Sequence, residues 1–271
     1  MVCHYCDFEQ QAPVRCPDCA FDGIRYSGLG TQRLEAEIRS RFPGVPVLRM
    51  DSDTMQRPGS HEKALAKFRA GEVKILLGTQ MIAKGLDFPN VTLVGVINAD
   101  TALHLPDFRA SERTFQLVTQ VAGRTGRGDK GGRVLVQTFS PDHPAIQAAI
   151  RHDYQMFAGA ELPVRVEHGF PPATAMVRLI ARGDSQPAVE TWMQATVDAL
   201  RTALEAKEID YRCLGPAPCP IARLRGKFRY HALVSAAAGD ELRSAVREVI
   251  GTVQPSEDVQ WVIDVDPVDL L

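Results

Sequence analysis

Long apolar runs are missing from this 271-residue sequence; none reaches the roughly 18 residues that a bilayer-spanning helix needs, so no membrane span is expected. An excess of either charge is missing too. Lys and Arg number 31 against 33 Asp and Glu, a net charge of −2, which excludes a wholly basic nucleic-acid coat and leaves any polyanion affinity to local patches. The opening Met1-Val2-Cys3-His4-Tyr5-Cys6 carries no charged-then-apolar leader, and a cytoplasmic protein is expected. Internal repeats and low-complexity tracts are absent. With 45% hydrophobic and 24% charged residues, the composition is that of a folded chain long enough for one large domain or two ordinary ones. There is also no G-x4-G-K-[ST] phosphate loop and no D-E-x-H segment. The Gly226-Lys227-Phe228 stretch lacks a glycine upstream at the required spacing, so a nucleotide site complete within this chain is excluded.

Cysteine is sparse after residue 19 but dense before it. Cys3 with Cys6 and Cys16 with Cys19 form two C-x2-C knuckles nine residues apart. Four thiolates on such turns suit a tetrahedral Zn2+; a redox pair or two unrelated thiol pairs are the plainer alternatives. Cys213 and Cys219 have no knuckle spacing and are expected to be buried structural thiols.

Between Ile24 and Thr138 short apolar runs alternate with helical patterns. The runs are Ile24 to Tyr26, Val45 to Met50, Val73 to Leu77, Val91 to Ile97 and Arg133 to Gln137. Thr31 to Phe42, His61 to Arg69 and Ser111 to Ala122 repeat their apolar residues at helical spacing, which predicts a parallel sheet covered by helices. A helical stretch from Pro144 to Leu162 runs into Gly169-Phe170-Pro171-Pro172, where a helix cannot continue. Beyond that point the order strand, helix, strand, strand, helix, strand predicts a small α+β domain of the split β-α-β kind. The expected domains are therefore a partial cysteine-rich region at 1–23, an α/β lobe at 24–162 and the α+β domain at 163–271.

Two segments carry chemistry. In Gly78-Thr79-Gln80-Met81-Ile82-Ala83-Lys84-Gly85-Leu86-Asp87-Phe88-Pro89, Thr79 follows a buried strand, at the edge where open parallel sheets bind ligands. Lys84 and Gly85 offer a cation and an open backbone to a phosphate, and Asp87 an acceptor for a ribose hydroxyl or a neighbouring Arg. In Gln120-Val121-Ala122-Gly123-Arg124-Thr125-Gly126-Arg127-Gly128, helical spacing would set Gln120, Arg124 and Arg127 on one face, suited to the charge on a transferring γ-phosphoryl group. Either segment alone is compatible with a basic turn or a strand-to-loop connection. Together, in this order, they resemble motifs V and VI in the second RecA-like lobe of superfamily 2 helicases.

The stretch Asn98 to Arg113, containing Pro106-Asp107-Phe108-Arg109-Ala110-Ser111-Glu112-Arg113, narrows the resemblance to the bacterial primosomal PriA helicase family. The cysteine knuckles followed by Gly28-Leu29-Gly30-Thr31-Gln32-Arg33-Leu34-Glu35 resemble that family in the same way. The resemblance spans essentially the whole chain. It implies an ATP-driven 3′-to-5′ DNA helicase that acts at stalled forks, reloads the replicative helicase, and meets single-strand-binding protein and primosome loading proteins. By position it implies that Thr79, Gln80 and Lys84 touch DNA or couple it to ATP, that Gly85 and Asp87 border the nucleotide, and that Gln120, Arg124 and Arg127 complete the ATPase site. For Asn98, Asp100, Arg109 and Arg113, ion pairs and helix-end contacts within the lobe are the alternative.

The chain departs from the family in lacking the first lobe, which would hold ATP and Mg2+, so no ATPase activity is expected from it alone. A fragment or truncated gene is expected. The family pattern has eight cysteines on two zincs and assigns Cys3 and Cys6 to a different metal from Cys16 and Cys19, which puts zinc retention here in question. Two other readings stand beside this one: a zinc-dependent DNA-binding or regulatory module without catalysis, and another superfamily 2 repair translocase.

Near the end, Arg223, Arg225, Lys227 and Arg229 alternate with period two, which in one extended strand sets them on a single side with Phe228 and Tyr230 on the other. That is either a single-strand DNA platform or a solvated hairpin with its aromatics in the core, and a turn at Gly226 would break the shared side.

Overall fold

The computed structural model describes residue 15 and residues 30–51, 55, 59–79, 90–123, 131–254 and 258–270. They fall into two compact units: the described residues of Asp18–Leu103 with Glu112–Tyr154, and those of His104–Ser111 with Gln155–Leu271.

The first unit alternates helices with short parallel strands. In order these are α1 (Thr31–Arg41), β1 (Val47–Met50), α2 (Ser60–Arg69), β2 (Ile75–Gly78), β3 (Leu93–Val96), α3 (Asp100–Leu103), α4 (Ala110–Ala122), β4 (Arg133–Val136) and α5 (Pro144–Ile150). Arg39 pairs with Glu35 and Arg41 with Glu37 at i,i+4 on α1, and the start of α5 is set by Pro144 in its first turn and the His143 ring accepting from the Ala145 N–H. β1 pairs with β2 and β3 with β4, in two separate parallel ladders. The expected single sheet is thus corrected, among the described residues, to two pairs. An apolar run shows that a strand is buried but not which edge it meets, and strands of four residues carry little register information. The expected strand at Ile24 to Tyr26 lies outside the described residues.

Asp100 ties this unit together at the exits of β3 and β4. Its carboxylate accepts from the Thr138 hydroxyl and from the Phe139 N–H, both at 2.9 Å, while the Ala99 N–H donates to the Gln137 carbonyl. Burial alone would raise the Asp100 pKa, but hydrogen bonds from Phe139, Thr138 and Ser140 outweigh it and hold the carboxyl below its ordinary 3.8.

The second unit runs α6 (Tyr154–Glu167), β5 (Ala175–Gly183), α7 (Gln186–Ala206), β6 (Tyr211–Leu224), β7 (Lys227–Ala236), α8 (Gly239–Thr252) and β8 (Gln260–Val265). The strands form one antiparallel sheet in the order β6-β7-β5-β8. α7 is capped by Ser185 and presents Val189, Met193, Val197, Leu200 and Leu204 at helical spacing to Val177, Leu179 and Ala181 of β5 and Ala232 and Val234 of β7. β6 extends through Pro216, Pro218 and Pro220. It lies at the sheet edge, where prolines on alternate positions leave the side facing β7 free to pair, and it is irregular between Leu214 and Ala217 and between Pro218 and Arg223.

The other face of the sheet is apolar as well. Met176 and Leu233 are buried there with Leu270, against Phe108, Phe170 and Leu214. α6 delivers Phe170 through its end: Gly169 has φ +63°, its N–H bonds the Val166 carbonyl, and the Phe170 N–H bonds that of Arg165. This is a Schellman closure. No helix among the described residues is long and apolar enough to cross a membrane.

Two stability measurements follow. Leu200→Ala empties part of the α7 core and is expected to cost about 2–5 kcal/mol in urea. Trp192 and Trp261, the only two tryptophans, stack in this unit with ring centroids 6.1 Å apart, so their fluorescence follows its unfolding alone. Asp100→Asn is expected to cost about 1–2 kcal/mol at neutral pH. Because the Asp100 pKa is depressed by folding, its contribution is present above the unfolded value and is lost as pH falls through the folded one. The variant's stability is therefore expected to fall less steeply than that of the wild type in an acid titration below about pH 4.

Candidate functional site

Thr79 follows β2 directly and is exposed, at the carboxyl end of a parallel strand. Gln80, Lys84, Gly85 and Asp87 lie outside the described residues, as do Arg124 and Arg127. Gln120 stands on the last turn of α4, half-buried, five residues beyond buried Phe115 and two beyond buried Val118. Gly123 ends the described part of that helix, its N–H bonding the Thr119 carbonyl. The cysteines of the two knuckles are also outside the described residues, and no metal-binding cluster of three or more His, Cys, Asp or Glu occurs among those that are described.

Upstream, the Thr31-to-Glu35 motif closes α1 onto the end of β1. The Thr31 hydroxyl donates to Asp51 at 2.8 Å, while Arg49 pairs with Asp51 at 3.0 Å and with Glu35 at 3.6 Å. Asn98 takes a left-handed φ of +68° directly after the β3 exit, a conformation that Asn tolerates better than most residues. Asp100 makes the helix-end contacts described above. Arg109 lies over the ring of Phe108, 5.2 Å from its centroid.

The basic stretch is a hairpin, not one strand. Arg225 and Gly226 both have positive φ, +52° and +85°, which closes a two-residue turn of the type that matches strand twist. Arg223 then stands opposite Phe228, and Leu224 opposite Lys227. Opposite residues share a face, so the expected common side for all four cations is corrected. Arg223 stands with Phe228, its guanidinium 5.0 Å from the ring centroid, whereas Lys227 and Arg229 occupy the other face and Arg225 sits at the tip. Tyr230 is buried. Its hydroxyl donates to Glu190 at 3.1 Å and accepts from Gln186 at 3.0 Å, which fixes the ring in the core and removes it from any stacking platform.

The sheet register also shows a cation that sequence reasoning passed over. Arg182 of β5 lies directly opposite Arg229 of β7, with its Nε donating to Gln260 of β8 at 3.0 Å. Two like charges across a ladder disfavour each other unless an anion or solvent lies between them. Arg178 was also missed, because it interrupts an apolar strand. It is fully buried, donating to the Asp269 carbonyl at 3.0 Å and contacting the Cys219 sulfur at 4.0 Å. Cys219 is buried and Cys213 half-buried, and burial pushes both thiols up in pKa, beyond what neighbouring arginines recover.

A family model described as Helicase conserved C-terminal domain matches residues 27–129, and one described as Primosomal protein N C-terminal domain matches residues 166–268. The replication restart protein PriA of Bacillus subtilis is 45% identical over 253 residues, covering 92% of this chain and 31% of that protein. The PriA of Synechocystis is 39% identical over 268 residues, 99% of this chain and 32% of its own. That of Treponema pallidum is 39% identical over 271 residues, 100% of this chain and 41% of its own. The chain therefore spans well under half the length of these relatives. A helicase domain and a primosomal domain following each other at such identities leave one placement: the chain belongs to the PriA family of replication restart proteins and corresponds to the C-terminal part of its members.

Proposed function

We propose that this chain is the C-terminal part of an ATP-dependent 3′-to-5′ DNA helicase that recognises stalled forks and restarts replication. The observation that carries the proposal is the order of the two matched domains, helicase then primosomal, on a chain whose Thr79 lies at the carboxyl end of a parallel strand. In this reading the first unit is the second RecA-like lobe and the second unit a split β-α-β domain. A first lobe supplies the phosphate loop and Mg2+. Gly85 and Asp87 border the ATP, and Gln120, Arg124 and Arg127 approach its γ-phosphate, where guanidinium groups stabilise the charge of the transferring phosphoryl. Thr79, Gln80 and Lys84 face the DNA backbone on the same lobe.

The second unit adds DNA contacts through its hairpin. Arg225 at the tip, with Lys227 and Arg229 on one face, presents cations to phosphates, while Arg223 remains against Phe228. Single-strand-binding protein and primosome loading proteins are the protein partners, in a cytoplasmic, nucleoid-associated setting. Each C-x2-C pair supplies two thiolates that fit Zn2+, Cys3 with Cys6 as ligands of one ion and Cys16 with Cys19 as ligands of another, as in the family pattern.

Three measurements test this. The purified chain is expected to hydrolyse no ATP with DNA present, whereas the protein that includes the first lobe hydrolyses it and loses on the order of 10^3 in kcat on Arg127→Ala. ATP hydrolysis by the chain alone would sink the reading. Replacing Arg225 and Lys227 together by Ala is expected to weaken fork binding and to lower the salt slope of binding by about one per cation that contacts a phosphate; an unchanged slope means a solvated hairpin. Metal analysis is expected to find zinc that leaves on Cys16→Ala, and an apoprotein at neutral pH argues against the donor set.

A further inference from the structure

The pieces that close the helix-free face of the antiparallel sheet do not reach its last row. Met176 and Leu233 lie under Leu270, Phe108 and Phe170. Further along the same strands Ile180 of β5 stands between His231 of β7 and Val262 of β8, and Val262 is 54% exposed. The last row on that face is Arg182, exposed, with half-buried Arg229 opposite it on one side and Gln260 on the other. Lys227 follows two positions from Arg229, on the same side of β7. All of these residues belong to the second unit.

Opposite residues of an antiparallel pair hold their Cβ atoms about 4.5–5.5 Å apart, so the two arginine stems leave the sheet side by side. Their immediate partners are neutral. The Arg182 Nε donates to Gln260 Oε1 at 3.0 Å, and Arg229 Nη1 donates to the Ile221 carbonyl at 3.3 Å. These acceptors aim the guanidinium groups without cancelling their charge, and both terminal NH2 groups of Arg182 are left over. Among the described residues neither arginine has a carboxylate within 4.0 Å. Asp264, an acid on the same face, stands opposite buried Arg178 instead, four residues or about 13 Å along β8 from Gln260. Like charges set directly opposite each other work against the ladder unless an anion lies between them. The row also lacks a stacking surface. Tyr230 alternates with Arg229 and is buried against the helices, and Trp261 stacks on Trp192 of α7.

We propose that Arg182 and Arg229 form a seat for one phosphodiester of a single-stranded nucleic acid, whose backbone runs on past Lys227 toward the hairpin tip. The two non-bridging oxygens of one phosphate suit two adjacent guanidinium forks, and cations repeated along a strand suit a polyanion rather than a single carboxylate. Gln260 is a positioning residue that fixes the Arg182 fork. The seat rests on the reading of the hairpin as a DNA contact, and places the nucleic acid on the side of the sheet away from Arg223 and Phe228.

The test uses the 271-residue chain and a labelled oligothymidylate, with affinity followed against salt. Arg182→Gln and Arg229→Gln are each expected to weaken binding several-fold and to lower the salt slope by about 0.7, the value for one phosphate of a single strand. The double variant is expected to show the slope of either single one, because both arginines hold the same phosphate. Gln260→Glu removes no cation but gives Arg182 a carboxylate, and is expected to weaken binding as much as Arg182→Gln. Without nucleic acid, Arg182→Gln is expected to keep or raise the urea midpoint read by the two tryptophans, since it relieves a like-charge pair. Unchanged affinity in the single variants overturns the seat, and a loss that persists on replacing Arg225 and Lys227 then leaves the hairpin contact standing. A double variant with twice the slope loss overturns the shared phosphate. A lowered midpoint shows that the pair holds the fold, and overturns the seat. An oligoaspartate peptide that binds through Arg182 in preference to the oligonucleotide overturns the choice of phosphate. A wild-type chain that binds no oligonucleotide refutes the hairpin reading and the seat with it.

Discussion

The second unit is organised by the need to cover both faces of one sheet. β5 and β7 carry apolar side chains on alternate positions in both directions, so neither face can be left to water. Two long helices satisfy one face in the ordinary way, with Leu200, Leu204 and Val197 seated on Leu179 and Val234. The other face has no helix pair to receive it, and small, sequence-distant pieces close it: one aromatic from residue 108, one from 170, one leucine from 270. Fully buried Leu270 contributes about 1.5–3 kcal/mol, and the half-buried Phe108 and Phe170 add a part of that each. That is a large fraction of a domain's net stability, which explains why a segment of the helicase-matched half is retained there.

The candidate nucleotide side is governed by a different constraint. Parallel strands converge with their carboxyl ends toward one edge, and the backbone groups released there need partners. Asp100 supplies them for the β3 and β4 exits, accepting one hydroxyl and one N–H, and the fold keeps it ionised by that means. Asp100 is thus engaged in helix-end and framework contacts within the lobe. The same holds for Thr31 and Glu35, which close onto Asp51 and Arg49.

Much of this was legible beforehand, for identifiable reasons. The first helix of the expected strand, helix, strand, strand, helix, strand order is α7, Gln186–Ala206, which buries seven residues at helical spacing behind its Ser185 cap. β5, β7, α8 and β8 were likewise visible as apolar runs bounded by turns. What stayed hidden depends on pairing. Period-two reading put Arg223 and Lys227 on one side because it cannot see the two-residue turn between them, although Gly226 was a signal that it existed. Arg178 reads as a flaw in a strand, and only the carbonyl of Asp269 beside it shows why it is tolerated. Strand pairing in the first unit was misread for the same reason: hydrophobicity is a property of a run, and adjacency is not.

The dispersed covering of the second sheet face bears on how this protein can be cut. The region matched as a primosomal C-terminal domain, residues 166–268, retains the whole sheet and both helices but stops short of Leu270 and never includes Phe108. Expressed by those limits, it would leave Met176 and Leu233 covered by Phe170 and Leu214 alone, an apolar patch opened on one side, with Arg178 deprived of the carbonyl it donates to. Such a piece would be prone to self-association for a reason unrelated to its native partners. A faithful excision has to carry residues 104–111 along, either within a longer chain or as a peptide supplied in trans.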